Sequence, residues 1–137
     1  MDLVKYRALF LEEAAEHLAE MSRSLLLLEK DPADGEALGV VFRMAHSIKG
    51  MAGSLGYDAV TELAHALEDR VEGCRAAGRV EPGGGIGLLF EGLEGLERMV
   101  AAVRESGEPP APQPDLVARL GQAANGAAAA EGRPKKA

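Results

Sequence analysis

Apolar residues recur along this chain every three or four positions, with charged and small residues filling the intervals. Leu3, Phe10, Ala14, Leu18, Met21, Leu25 and Leu28 form one stripe at helical spacing, and Glu12, Glu13, Glu16, Glu20 and Arg23 fall off it. The spacing predicts a helix over about 3–28, with His17 at the stripe's edge as a core-boundary residue. Lys30-Asp31-Pro32-Ala33-Asp34-Gly35 breaks that helix, and Asp34 can cap the next. A second helix over about 36–55 carries Val41, Met44, Ile48, Met51 and Leu55 within one arc, and Gly56 can end it in the left-handed conformation. After Tyr57-Asp58 a third helix runs to about residue 77, with Val60, Leu63, Ala64, Leu67, Val71 and Cys74 on its apolar face. His65, Glu68 and Glu72 share the opposite side at spacings of three and four, which makes them surface neighbours.

Residues 78–85, with Pro82 and three consecutive glycines, read as a flexible connection; they lack the lysine and the preceding strand of a phosphate-binding loop. Ile86, Leu89, Leu93, Leu96, Val100 and Val103 then give a fourth regular stripe. Gly87, Gly92 and Gly95 weaken that helix intrinsically, so packing must hold it. The proline-rich stretch 107–114 is a linker of polyproline character. Asp115 can cap a short helix within 115–124 that docks through Leu116, Val117 and Leu120, and 125–137 reads as a disordered tail. No segment alternates as a strand does. The expected fold is all-α: an antiparallel up-down four-helix bundle over 1–106 with a short fifth C-terminal helix.

The second helix has an unusual polar face. His46, Lys49, Gly50 and Gly53 fall together, away from the apolar arc. Each glycine costs a helix about 1 kcal/mol relative to alanine, so a bare surface beside the histidine needs a reason. Partner access is one, with His46 as a nucleophile presented to other proteins. Counting from the turn at Gly56, His46 lies level with both His65 and Glu68 across the hairpin. His46 can therefore meet either of them. A carboxylate on one imidazole nitrogen fixes the tautomer and leaves a lone pair on the other. Lys49, one turn on, would supply positive charge for an incoming phosphoryl oxygen.

Ala45-His46-Ser47-Ile48-Lys49-Gly50-Met51-Ala52-Gly53-Ser54-Leu55-Gly56, followed by Leu63-Ala64-His65-Ala66-Leu67-Glu68-Asp69, closely resembles the N-terminal histidine-phosphotransfer (HPt) domain of CheA chemotaxis kinases. The likeness covers nearly all of residues 1 to about 125. It implies that His46 is phosphorylated, that Glu68 is its hydrogen-bond partner, and that Lys49 and His65 complete the network. Gly50 and Gly53 match the small residues that admit partners. By resemblance, an ATP-binding kinase catalytic domain of a dimeric parent phosphorylates His46, and an aspartate of a CheY-like or CheB-like response regulator then takes the group. The bundle, monomeric by itself, would carry the phosphoryl group without catalysing its transfer. It would hold no cofactor and no metal, because ATP and Mg²⁺ belong to the partner domains. An HPt domain of a non-chemotaxis hybrid phosphorelay would share most of these features.

Charge and cysteine usage narrow the setting. With 15 basic and 22 acidic residues among 137, a net charge of -7 and no basic patch argue against nucleic acid. The lone Cys74 has no partner for an internal disulfide, and no apolar run is long enough to insert in a membrane. These features fit a cytoplasmic location, and the tail reads as a linker cut short. Two rival readings are weaker. Glu62-Leu63-Ala64-His65 matches one half of a di-metal bundle motif, but no second copy occurs. A plain helical interaction module would leave the glycines and lysine around His46 without a purpose.

Overall fold

The computed structural model describes residues 2–121. Four long helices follow one another: α1 (Leu3–Lys30), α2 (Gly35–Leu55), α3 (Asp58–Ala77) and α4 (Gly85–Ser106), and a short α5 occupies 114–121. Contacts run α1–α2, α2–α3, α3–α4 and α4–α1, with α2 and α3 the most extensively packed pair. That closed circuit of sequential neighbours is the up-down four-helix bundle. The tail 125–137 and the last three residues assigned to the fifth helix lie outside the described residues.

The helix ends follow local chemistry. Asp2 accepts a hydrogen bond from the Lys5 amide at 3.1 Å, and Asp34 from the Ala37 amide at 3.0 Å, each quenching an unpaired donor of a first turn. Gly56 closes α2 with φ of 76°, and the Tyr57 amide returns to the Ala52 carbonyl at 2.9 Å. This turn fixes the register of the α2–α3 hairpin. Tyr57 is itself buried, its ring tilted against Phe10 at 5.4 Å.

Several expectations need correction. Leu3 is 62% exposed, because the first turns of α1 extend past the packed part of the bundle; the stripe starts in earnest at Phe10. In α2 the buried line is Leu38, Val41, Ala45, Ile48 and Ala52, while Met44, Met51 and Leu55 pack on its flank. Small alanines occupy the closest approach and the longer side chains lean in from beside it. Glu68 belongs to the buried side of α3 rather than to its solvent face. The connection after α3 is tied down rather than loose: Val80 is buried and its amide bonds the Pro32 carbonyl at 2.8 Å. Arg70, also buried, reaches Glu81 at 2.6 Å from beneath the same loop.

Pro114 is the first residue of α5 rather than the last of the linker, and Asp115 therefore sits inside the first turn instead of capping it. The Gln113 carbonyl accepts from the Val117 amide at 3.0 Å. Leu116 and Leu120 are buried where α5 docks, while Val117 is half-buried. Their seat is the pair of α4 glycines: a Cβ on Gly92 would approach Leu67 Cδ1 at 3.1 Å, and one on Gly95 would meet both Leu116 and Leu63 at 2.8 Å. The intrinsic weakness of α4 is thus the condition for close packing of α3, α4 and α5.

Candidate functional site

His46 stands at the middle of α2 with its side chain 63% exposed. Glu68, 22 residues later on α3, is only 6% exposed. The antiparallel hairpin brings them level, and His46 Nδ1 lies 2.5 Å from Glu68 Oε2. The other carboxylate oxygen, Oε1, accepts from Lys49 Nζ at 2.6 Å. One buried carboxylate therefore serves two groups presented by successive turns of the facing helix.

Burial alone would push the Glu68 carboxyl upward, but the hydrogen bonds and charges of Lys49 and His46 outweigh it and hold Glu68 below the ordinary glutamate value of 4.5. Glu68 is ionised at neutral pH and offers only acceptors, so Nδ1 must be the donor. In the neutral ring the lone pair is then on Nε2, which makes no hydrogen bond among the described residues. A nucleophilic nitrogen held in one tautomer on an exposed ring is what the arrangement offers chemically.

His65 does not bond His46. Its Nε2 pairs with Asp69 Oδ2 at 3.3 Å, one turn along α3. The ligand-capable atoms of His65, Glu68 and Asp69 nonetheless lie within 4.8 Å of one another. A metal ion there would have to displace His46 or Lys49 from Glu68, whose two oxygens are both engaged. Glu62 is exposed and stands outside that trio, so the di-metal reading gains no second ligand pair among the described residues. Cys74 is buried, and burial pushes its thiol upward, which suits a core residue and not a nucleophile.

Gly50 and Gly53 are exposed on the strip of α2 that carries His46. A Cβ at Gly50 would meet nothing within 4 Å, and one at Gly53 would meet only Thr61 Oγ1 at 3.9 Å. No neighbour among the described residues requires these glycines. Beyond them, Tyr6 and Leu9 of α1 face Met51, Ser54 and Leu55 of α2 across a shallow, largely apolar groove. Two turns of α2 separate Ser54 from His46, about 12 Å.

Two residues around the histidine escaped the sequence reading. The Phe42 ring lies 6.3 Å from that of His46 and nearly parallel to it, at 12°. The Arg75 guanidinium sits over Phe42, 4.7 Å from the ring centroid. For Phe42 the spacing was a usable signal, since it precedes His46 by one turn; Arg75 gave none, because its contact crosses between helices.

The chain as a whole is similar to known proteins. The Hpt domain family matches residues 5–106. The chemotaxis protein CheA of Bacillus subtilis is 36% identical over 134 residues, which take in 96% of this chain but 20% of that relative. The chain thus spans about a fifth of the length of that curated relative. Among solved structures, the phosphorylated P1 domain of CheA3 from R. sphaeroides, in complex with CheY6, superposes with a TM-score of 0.79 at 26% identity, covering 88% of this chain and 96% of that one. The solution structure of the histidine phosphotransfer domain of CheA gives 0.75 at 27% identity, covering 88% and 90%. With the bundle, its sequential packing and the family match running from α1 to the end of α4, this chain belongs to the Hpt domain family.

Proposed function

We propose that this chain is the phosphotransfer domain of a CheA-type chemotaxis kinase and that His46 is its phosphoryl-carrying residue. The observation that carries the reading is the 2.5 Å contact between Nδ1 of an exposed His46 and the buried Glu68 carboxylate. The Nε2 lone pair attacks the γ-phosphorus of ATP held by a kinase catalytic domain. The N–P bond forms as the bond to the β-phosphate oxygen breaks, and ADP leaves. The Nδ1–H stays on the ring, where Glu68 stabilises the positive charge that develops. Lys49, held by Glu68, lends positive charge near the transferred oxygens. In the second transfer a regulator aspartate oxygen attacks phosphorus, and the N–P electron pair returns to Nε2.

ATP and Mg²⁺ are supplied by the partner domains in this reading, and the bundle contributes nucleophile and orientation. The regulator partner is CheY-like or CheB-like. The R. sphaeroides relative, crystallised with CheY6, supports that assignment, as do the bare Gly50–Gly53 strip and the apolar groove beyond it. The parent is a dimeric cytoplasmic kinase. Among the described residues no helix is long and apolar enough to cross a membrane. His65, paired with Asp69 at the rim, has a minor electrostatic role.

The test is phosphoryl transfer from labelled ATP by a CheA-type catalytic core to the wild-type chain and to His46→Gln. Label that is acid-labile, base-stable and absent from the variant supports the reading, and a chase into a response regulator identifies the pathway. An active core that leaves the wild-type chain unlabelled would return it to the class of interaction modules.

A further inference from the structure

A hydrogen bond holds a ring at one point only. His46 is attached to Glu68 through Nδ1, and its side chain is otherwise 63% exposed. The imidazole can therefore rock about the line from Nδ1 to Glu68 Oε2, and the direction of the Nε2 lone pair swings with it. A second contact, away from that line, is needed to define the plane of the ring.

Phe42 is placed to make it. The residue lies one turn before His46 on the same strip of α2, about 6 Å along the axis. Its ring is nearly parallel to the imidazole, with centroids 6.3 Å apart, inside the range where offset aromatic pairs attract. Phe42 is half-buried and packs on the flank of the core, so it is rooted in the bundle rather than free on the surface. Arg75, from the last turn of α3, covers the Phe42 ring at 4.7 Å and is itself tethered to Glu72 at 3.1 Å. An aliphatic side chain could fill the same flank of the core. It would offer neither a flat face to an imidazole nor a π-surface to a guanidinium.

We propose that Phe42 is a positioning residue for His46 and that Arg75 keeps Phe42 in its ring-parallel place; the proposal rests on the phosphoryl-carrier reading. α3 then grips the histidine twice, directly through Glu68 and indirectly through Arg75 and Phe42. The contribution is orientational: the lone pair is aimed before the kinase arrives, and so the effect belongs in kcat rather than in KM.

Two measurements on the 137-residue chain test this. The first needs no kinase: ¹⁵N spectra of the imidazoles. In wild type, His46 should show a single Nδ1–H tautomer with an ordered ring. Phe42→Leu should lower the ring's order while leaving the Nδ1–H tautomer, which Glu68 holds, and Phe42→Tyr should restore the order. The second is steady-state phosphorylation by a CheA-type catalytic core. Phe42→Leu should reduce kcat about tenfold with KM unchanged, Phe42→Tyr should recover most of the rate, and Arg75→Gln should reduce kcat by a smaller factor in the same direction.

A Phe42→Leu chain with wild-type ring spectra and kcat overturns the proposal. So does a loss confined to KM, which would make Phe42 a contact for the kinase. If Phe42→Leu does not fold, Arg75→Gln, altered at an exposed position, decides on the same two readouts. If wild type is not phosphorylated at all, the carrier reading fails by itself, and the imidazole spectra still show whether Phe42 orders the ring.

Discussion

His46 and Glu68, 22 residues apart, share a hydrogen bond in which the donor ring is exposed and the acceptor is buried. In the proposed function the asymmetry would separate two duties: the ring meets partners while the carboxylate stays out of their reach. Glu68 supports the nucleophile without being it, so Glu68→Ala is expected to lower the initial phosphorylation rate by about one to two orders of magnitude, whereas His46→Gln abolishes labelling. Lys49→Ala should slow transfer by a smaller factor. Initial rates with a common kinase core compare all three, and unchanged rates in both Glu68→Ala and Lys49→Ala would remove the assigned network.

Acid should weaken the fold in a way that reports on Glu68. Its carboxyl titrates below the ordinary value of 4.5 in the folded chain, so the unfolded chain binds the proton more readily. The stability due to the Lys49 and His46 contacts is therefore fully present above pH 4.5 and is lost as pH falls through the lower folded value. Denaturant titrations between pH 3 and 7 should show a shallower acid decline in Glu68→Gln than in wild type. Parallel declines would mean that Glu68 is not differentially charged.

Gly95→Ala should destabilise the chain by about 1–2 kcal/mol, although alanine is the better helix former. The added Cβ would lie 2.8 Å from Leu116 on one side and Leu63 on the other, and both are buried. Gly87→Ala is the matched control on the same helix: nothing lies within 4 Å of its Cβ, and a gain of about 0.5–1 kcal/mol is expected. Thermal melts of the two variants give opposite signs if α5 is seated as described. A stabilised Gly95→Ala would mean that α5 does not pack there.

Glu81→Ala should cost more than Arg70→Met. Arg70 is 4% exposed, its Nη2 bonds Glu81 at 2.6 Å, and its buried Nη1 has no partner among the described residues. Removing Glu81 leaves a buried guanidinium uncompensated, at a cost of about 2–3 kcal/mol. Replacing the arginine by an apolar chain of similar length removes charge and desolvation together and should be close to neutral. Chemical denaturation measures both, and equal losses would assign the stabilisation to packing of the arginine stem.

The helices were legible because proline, glycine and aspartate punctuate four clean apolar stripes, and the level of His46 with Glu68 followed from counting residues out from Gly56. The choice between Glu68 and His65 did not, since both lie within reach of that level. A wheel ranks positions by apolarity and so placed Glu68 in water, when the flank of α3 that it occupies is covered by α2. Leu3 misled for the converse reason: periodicity marks a face and says nothing of where the neighbouring helices stop. The contact of Arg75 with Phe42 joins two helices and was invisible until their separation was known. Gly92 and Gly95 read as weaknesses because the helix that needs them, α5, lies some twenty residues further on.

Every side chain assigned to the histidine's chemistry, from Phe42 to Arg75, comes from the α2–α3 hairpin, and its register is fixed by the turn at Gly56. α1 and α4 cover the hairpin's apolar side without entering the site. Residues 42–75 are in that sense a cassette: an uninterrupted stretch of chain that other bundles could receive by grafting, provided they bury the same face. The flanking helices are correspondingly freer to diverge, so long as they keep that hydrophobic bed, the Tyr6 and Leu9 wall of the groove and the two glycines of α4 that seat α5.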